Sequence, residues 1–302
     1  MSRRVFISGD QGQVAQALVR IYSARGDNSR SAGRATVDIT DASAVDTAIR
    51  NFRPDMIINA AGYTAVDQAE DDAVQAYKIN RDGARHVAAA ARAIAAPLIH
   101  ISTDYVFDGT KREPYFETDL TNPIGVYGQS KLAGEDAVAA VTADFVILRT
   151  SWVFSADGSN FVKTMLRLAD ERDVINVVDD QWGAPTFAAD LATAIVTIGD
   201  ALLSAKDRPG LCGIYHATAA GETTWCQFAR TTMDLSAARG GPSCTIRPIA
   251  TSQYPTRARR PANSRLDGAK LARIFGLRLP AWQTGLERCL NQLIAAPHGA
   301  NA

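Results

Sequence analysis

The run Val5-Phe6-Ile7-Ser8 passes directly into Gly9-Asp10-Gln11-Gly12-Gln13-Val14-Ala15, and from there into a segment of helix length. A strand that turns through glycine into a helix leaves the helix's first N–H groups, and its partial positive charge, facing whatever lies at the turn. A pyrophosphate suits that position. Gly9 provides the tight turn and Gly12 the close backbone approach, with Gln11, Gln13 and Val14 around them. Ala15 stands where a third glycine is usual. An ordinary strand-to-helix turn is the competing reading of the same residues.

The rhythm of the first 150 residues supports the ligand-binding alternative. The runs at 55–59, 97–102 and 145–149 are apolar without polar alternation, as strands covered on both faces are. Helix-length segments fall near 13–24, 42–52, 71–93 and 127–141. This is the α/β pattern of a Rossmann-type doubly wound parallel sheet. The second strand is the weakest, because Asn28-Ser29-Arg30-Ser31-Ala32-Gly33-Arg34 is polar and only the topology asks for an edge-like strand there. Beyond residue 150 the pattern turns irregular, with strands expected at 174–178 and 214–216 and helices near 190–203, 223–235 and 280–294. The expectation is a dinucleotide domain of residues 1–150, rejoined by a return segment at about 188–218, and a smaller mixed α/β substrate lobe of residues 151–187 and 219–302. The tail 298–302 reads as frayed.

Charge narrows the partners. Lys plus Arg and Asp plus Glu both number 32, so the broad positive field of a nucleic-acid binder is missing and any anion site is local. No apolar run has membrane-spanning length and the start lacks a signal-peptide pattern, which points to the cytoplasm. Cys212, Cys226, Cys244 and Cys289 form no Cys-x-x-Cys pair, and His86, His100, His216 and His298 have no metal-ligand spacing. Free thiols and no metal centre are expected.

The cofactor is read at the end of the second strand, where a carboxylate grips a ribose 2′-hydroxyl and a cation accepts a 2′-phosphate. Arg30 and Arg34 stand there and no carboxylate follows until Asp38. That favours NADPH, with NADH left open as a second donor; solvated loop charges are the competing reading of the arginines. Asp38 and Ile39 would border the adenine. Ala60, Ala61, Gly62, Tyr63 and Thr64, after the strand at 55–59, would pass beneath the nicotinamide ribose, with Ile101 on the same side of the sheet.

Tyr127 and Lys131, four residues apart, share one helix face. A free phenol has a pKa of about 10, too high for ready proton exchange, and a fixed cation nearby lowers it. Lys131 can also hold ribose hydroxyls. Thr103, in Ser102-Thr103-Asp104-Tyr105 at a strand's end, can orient the reacting oxygen. Tyr-x-x-x-Lys by itself is common as a solvent-facing pair; the order of glycine turn, Ser-Thr strand end and Tyr-x-x-x-Lys is the informative part. It resembles the short-chain dehydrogenase/reductase superfamily, in its extended branch that acts on nucleotide sugars.

Longer stretches narrow the likeness. Gly12-Gln13-Val14, Asn59-Ala60-Ala61, Ala65-Val66-Asp67, residues 102–107, residues 126–135, Arg149-Thr150-Ser151-Trp152-Val153, Asp180-Gln181-Trp182-Gly183-Ala184-Pro185-Thr186 and Arg259-Arg260-Pro261-Ala262-Asn263-Ser264 resemble the dTDP-4-dehydrorhamnose reductase family over nearly the whole chain. The resemblance implies reduction of the C4 ketone of dTDP-4-dehydro-L-rhamnose to dTDP-L-rhamnose, the last step of activated-rhamnose synthesis. It implies Tyr127 as proton donor, Lys131 as its tuner and ribose ligand, Thr103 at the oxygen, and Asp104 and Trp152 on the sugar. Gln181, Arg259, Arg260 and Asn263 lie in motifs expected at the substrate. Arg257, Arg259, Arg260 and Arg265 are a dense basic cluster whose guanidinium forks suit a diphosphate; an exposed loop or interface patch is the other reading. Trp182 could equally stack on a ligand or pack.

Within the resemblance two rivals stand: another extended-branch reductase or C4 epimerase, against which the Arg-Arg-Pro-x-Asn-Ser segment speaks, and a non-catalytic regulatory subunit, which the presence of Thr103, Tyr127 and Lys131 disfavours. The resemblance also brings magnesium-bridged dimers, held by glutamates that include one early in the first helix. Here that helix begins Val14-Ala15-Gln16-Ala17-Leu18-Val19-Arg20 without an acidic residue. A monomer or a metal-free homodimer is therefore expected.

Overall fold

The computed structural model describes residues 2–294, so the expectation for the tail 298–302 lies outside the described residues. The chain opens with β1 (Arg4–Ser8), α1 (Gln13–Ala24), β2 (Asn28–Ala32), α2 (Ala42–Phe52) and β3 (Met56–Asn59). There follow α3 (Val66–Ala69), α4 (Ala73–Tyr77), a π-helical turn (Lys78–Gly83), α5 (Ala84–Ala93), β4 (Leu98–Thr103), α6 (Val126–Val141) and β5 (Phe145–Thr150). Beyond them come β6 (Val153–Phe154), α7 (Phe161–Glu171), β7 (Val174–Val178), β8 (Trp182–Gly183), β9 (Thr186–Phe187) and α8 (Ala188–Ser204). The last elements are β10 (Gly213–His216), β11 (Thr223–Thr224), α9 (Trp225–Ala237), β12 (Thr245–Ile249), α10 (Ala269–Phe275) and α11 (Trp282–Leu293).

Six parallel strands form the main sheet in the order β10-β5-β4-β3-β1-β2. Strand order reverses between β1 and β3, so the crevice outside their carboxyl ends is where this architecture takes a ligand. Successive residues of β1 point to opposite faces. Val5 and Ile7 pack with Leu18 and Tyr22 of α1 and Leu191 and Ile195 of α8. Phe6 packs with Val45, Ile49, Val87 and Val138 of α2, α5 and α6. A separate core of Phe154, Val162, Ile175, Phe187, Phe228 and Leu286 holds the remaining elements together.

β2 is polar because it is an edge: it pairs only with β1, and Asn28 and Arg30 stay exposed while Ala32 is buried. The single helix expected at 71–93 is a correction. α4 and α5 are joined by a π-helical turn, which carries an extra residue per turn and occurs often at functional sites. That turn brings the buried Asn80 inward: its Oδ1 accepts from the Tyr63 N–H at 2.8 Å and its amide donates to the Ser130 hydroxyl at 2.9 Å. The loop after β3 is thereby tied to α6.

Candidate active site

A cleft of 610 Å³ runs along the carboxyl ends of β1, β3, β4 and β5. At one end lies the start of α1, where Gly12 occupies the cap position and no side chain caps the helix. Its first N–H groups therefore remain for a ligand, with the helix's partial positive charge behind them. Gly9 has φ +94°, and a side chain there would meet the backbone of Ala60 and Ala61 at 3.2 Å. The loop after β3 thus closes directly on the turn, and the pair makes a backbone-lined cradle that fits a dinucleotide's diphosphate.

Polar groups buried under the cradle are chained together. The Ser8 hydroxyl donates to Asn59 Oδ1 at 2.5 Å, and the Asn59 amide lies 3.0 Å from His100 Nδ1. Nδ1 is then an acceptor and the imidazole neutral, in line with burial and the nearby Lys131 charge, which both lower its pKa.

The proton-transfer residues sit where β4 and α6 converge. Glu70 Oε1 accepts the Val126 N–H at 2.9 Å, capping the start of α6 one residue before Tyr127. Lys131, one turn later, is buried and its Nζ donates to the Ile101 carbonyl at 2.6 Å. Burial pushes the Lys131 ammonium down to about 8, opposed by Glu135. The expectation that Lys131 lowers the Tyr127 phenol is not met. Desolvation drives that phenol above its ordinary value, the Thr103 hydroxyl pulls it back, and Asp104 and Tyr105 push it further up. Tyr127 is consequently held protonated, the form a proton donor requires.

Thr103 Oγ1 donates to Asp104 Oδ1 at 3.0 Å and accepts the Tyr105 N–H at 3.2 Å. Asp104 is buried, its Oδ2 has no partner, and desolvation raises its carboxyl to about 6, with the nearby Ser264 and Thr103 hydroxyls pulling it back. Behind this pair Ser102 donates to Glu135, which Arg149 grips through Nε at 3.0 Å and Nη2 at 2.7 Å. All three are buried, so the ion pair fixes the end of β4 against α6 and β5.

The opposite wall is aromatic. Trp152 and Trp225 stack at 3.6 Å and 12°, and Phe161 meets Trp225 at 4.6 Å. Trp225 and Phe161 line the cleft and were not anticipated. The only local sign of Trp225 is its position just after Thr224, whose side chain caps α9.

Of the residues expected at the site, Gln11, Gly12, Gln13, Val14, Ala60, Ala61, Gly62, Thr64, Ile101, Thr103, Asp104, Tyr127, Lys131, Trp152 and Arg260 line this cleft. The others lie outside its lining. Tyr63 is pinned through its backbone by Asn80. Arg34 is exposed and 3.8 Å from Asp38, a carboxyl lowered chiefly by the Thr40 N–H. Ile39 is buried against Gly83.

The arginine cluster divides. Arg257 pairs with Asp71 and Arg259 is exposed. Arg265 is engaged by Glu222 and Asn263 and lies over the Trp182 ring. Only Arg260 reaches the cleft, held by Asp67 at 2.6 Å and the Tyr105 hydroxyl at 3.2 Å. Gln181 is buried on Thr251, and the Asn263 amide donates to the carbonyls of Lys111 and Glu113. Both serve the framework here.

A family model described as the RmlD substrate binding domain matches residues 3–295. The chain is 46% identical over 292 residues to a dTDP-4-dehydrorhamnose reductase of Sinorhizobium fredii, covering 96% of this chain and 98% of that protein. It is 42% identical over 294 residues to one of Escherichia coli K12, covering 96% and 97%. Among solved structures, a dTDP-4-dehydrorhamnose reductase of Bacillus anthracis in complex with NADP superposes with a TM-score of 0.89 at 37% identity, over 97% of this chain and 100% of that one.

Proposed function

Because it is matched over residues 3–295 and nearly end to end by such reductases, the chain belongs to the dTDP-4-dehydrorhamnose reductase family, and from that premise we propose how its residues act. The enzyme is an NADPH-dependent oxidoreductase that reduces the C4 ketone of dTDP-4-dehydro-L-rhamnose to dTDP-L-rhamnose, the closing step of dTDP-rhamnose synthesis. The observation that carries the reading is one cleft lined at once by the uncapped start of α1 and by Thr103, Tyr127 and Lys131.

The cofactor, when bound, supplies a hydride to the ketone carbon. Tyr127 gives its proton to the oxygen as charge develops there; its desolvated phenol keeps that proton until then. Thr103 Oγ1, fixed between Asp104 and the Tyr105 N–H, orients the same oxygen. Lys131 holds a charge beneath the site and presents it to the ribose. Asp104, with a free carboxyl oxygen, accepts from a sugar hydroxyl, and Arg260 faces the diphosphate from above Tyr105. The dinucleotide lobe is residues 1–150 with 188–218, and the rest forms the sugar-nucleotide lobe.

Asp190, which the family resemblance sets in the region of a second carboxylate for a magnesium bridge, is paired with Arg288. The residues do not fit such a bridge, and the protein acts as a monomer or a metal-free homodimer. No helix among the described residues is long and apolar enough to cross a membrane, and the reaction belongs in the cytoplasm. The test is Tyr127→Phe: loss of a positioned acid lowers kcat by about 100-fold or more, while NADPH affinity stays within about twofold because the phenol's proton is what is lost. A variant that keeps most of its rate overturns the assignment.

A further inference from the structure

Trp152 is one of three residues other than glycine with positive φ among those described, at +48°. A bulky residue holds that conformation only where its surroundings over-determine it. Two neighbours do so. Trp225 covers one face of the indole at 3.6 Å, and Gly183 approaches so closely that a Cβ there would fall on the bicyclic carbons of Trp152.

These neighbours are linked. Gly183 ends β8 and Trp225 follows β11, and the two short strands pair antiparallel with Thr223 opposite Gly183. The ladder therefore fixes the width of the slot into which Trp152 fits. With one face stacked on Trp225 and Gly183 against its bicyclic carbons, Trp152 has only the remainder of its indole left for the cleft it lines. Phe161 lies 4.6 Å and Phe228 6.4 Å from the Trp225 ring, so the slot is braced by the separate core of the sugar-nucleotide lobe.

We propose that Trp225 is a positioning residue for substrate recognition, holding Trp152 in its strained conformation so that the remainder of the indole contacts the sugar of the sugar nucleotide. The inference rests on the reductase reading above. It assigns Trp225 to substrate binding and leaves cofactor binding and the proton step to the opposite wall.

The test compares wild type, Trp225→Ala and Trp225→Phe in steady-state reduction of dTDP-4-dehydro-L-rhamnose. Losing an aromatic partner of this kind raises the KM for the sugar nucleotide about tenfold in Trp225→Ala, with kcat and NADPH affinity within about twofold. Trp225→Phe, which keeps a stacking ring, recovers most of the loss. A role in folding alone would lower the melting temperature and leave KM in place. Two stacked indoles also give a far-ultraviolet circular-dichroism couplet. It vanishes in Trp225→Phe and shifts in wild type on adding dTDP-L-rhamnose, but not on adding NADPH. Unchanged KM in Trp225→Ala, NADPH affinity falling in step with KM, or a couplet indifferent to dTDP-L-rhamnose each overturns the proposal. The couplet decides even where Trp225→Ala does not fold or wild type turns nothing over; the last outcome refutes the reductase reading instead.

Discussion

Replacing Asp104 with Asn separates what this carboxyl does for the site from what it does to the fold. The buried acid is raised from an ordinary 3.8 to about 6, so the folded state binds its proton more tightly than the unfolded chain does. Its contribution to stability is complete below 3.8 and disappears as the pH rises through 6. That difference corresponds to about 3 kcal/mol lost by about pH 8. Asparagine keeps an oxygen to accept from Thr103 and cannot ionise. Asp104→Asn and wild type should then be nearly equal in stability at about pH 4, with the variant ahead by about 3 kcal/mol at about pH 8. Urea unfolding followed by circular dichroism at the two pH values reads the difference. The same variant binds the sugar nucleotide more weakly, because a charged acceptor has gone. An equal offset at both pH values would refute the claim that a buried, ionising carboxyl is maintained at a cost in stability for the sake of the site.

Three further perturbations probe the surroundings. Lys131 is pushed down to about 8 by burial, so kcat/KM falls above about pH 8 as the cation is lost, and Lys131→Arg moves that limb upward because a guanidinium keeps its proton; a pH–rate profile checks both. Glu135→Gln leaves Arg149 buried without its counter-charge and lowers stability by about 3–5 kcal/mol, measured by denaturant unfolding. Arg34→Asp places a carboxylate beside Asp10 at the end of β2, where Asp10 already lies against Gly33. The ratio of kcat/KM for NADPH over NADH falls about tenfold, and an unchanged ratio leaves Arg34 a solvated charge.

What could be read from the chain, and what could not, follows from how local each signal is. β3, β4 and β5 announce themselves because both faces of each are covered and few polar residues interrupt them. β2 hides, since an edge strand with one neighbour tolerates Asn28, Ser29 and Arg30. The π-helical turn at Lys78–Gly83 breaks the expected helix because Asn80 is drawn to partners 17 and 50 residues away. Tyr127, Lys131 and Thr103 could be placed at one site because their roles depend on helix spacing and a strand end. The arginines could not be sorted. Their fates are set by Asp67, Asp71 and Glu222, far off in sequence, so density alone overstated the anion site. Trp182 drew notice and is 43% exposed beside Arg265, whereas Trp225 did not and stacks on Trp152.

The central claim is that this cleft reduces a dTDP-linked C4 ketone at the expense of NADPH. It is tested most directly by adding purified protein to freshly generated dTDP-4-dehydro-L-rhamnose and following NADPH absorbance together with the sugar nucleotide formed. The account predicts one NADPH oxidised for each dTDP-L-rhamnose made and no oxidation when the ketone is left out. Protein that binds NADPH yet leaves it unoxidised in the presence of the ketone would contradict the account.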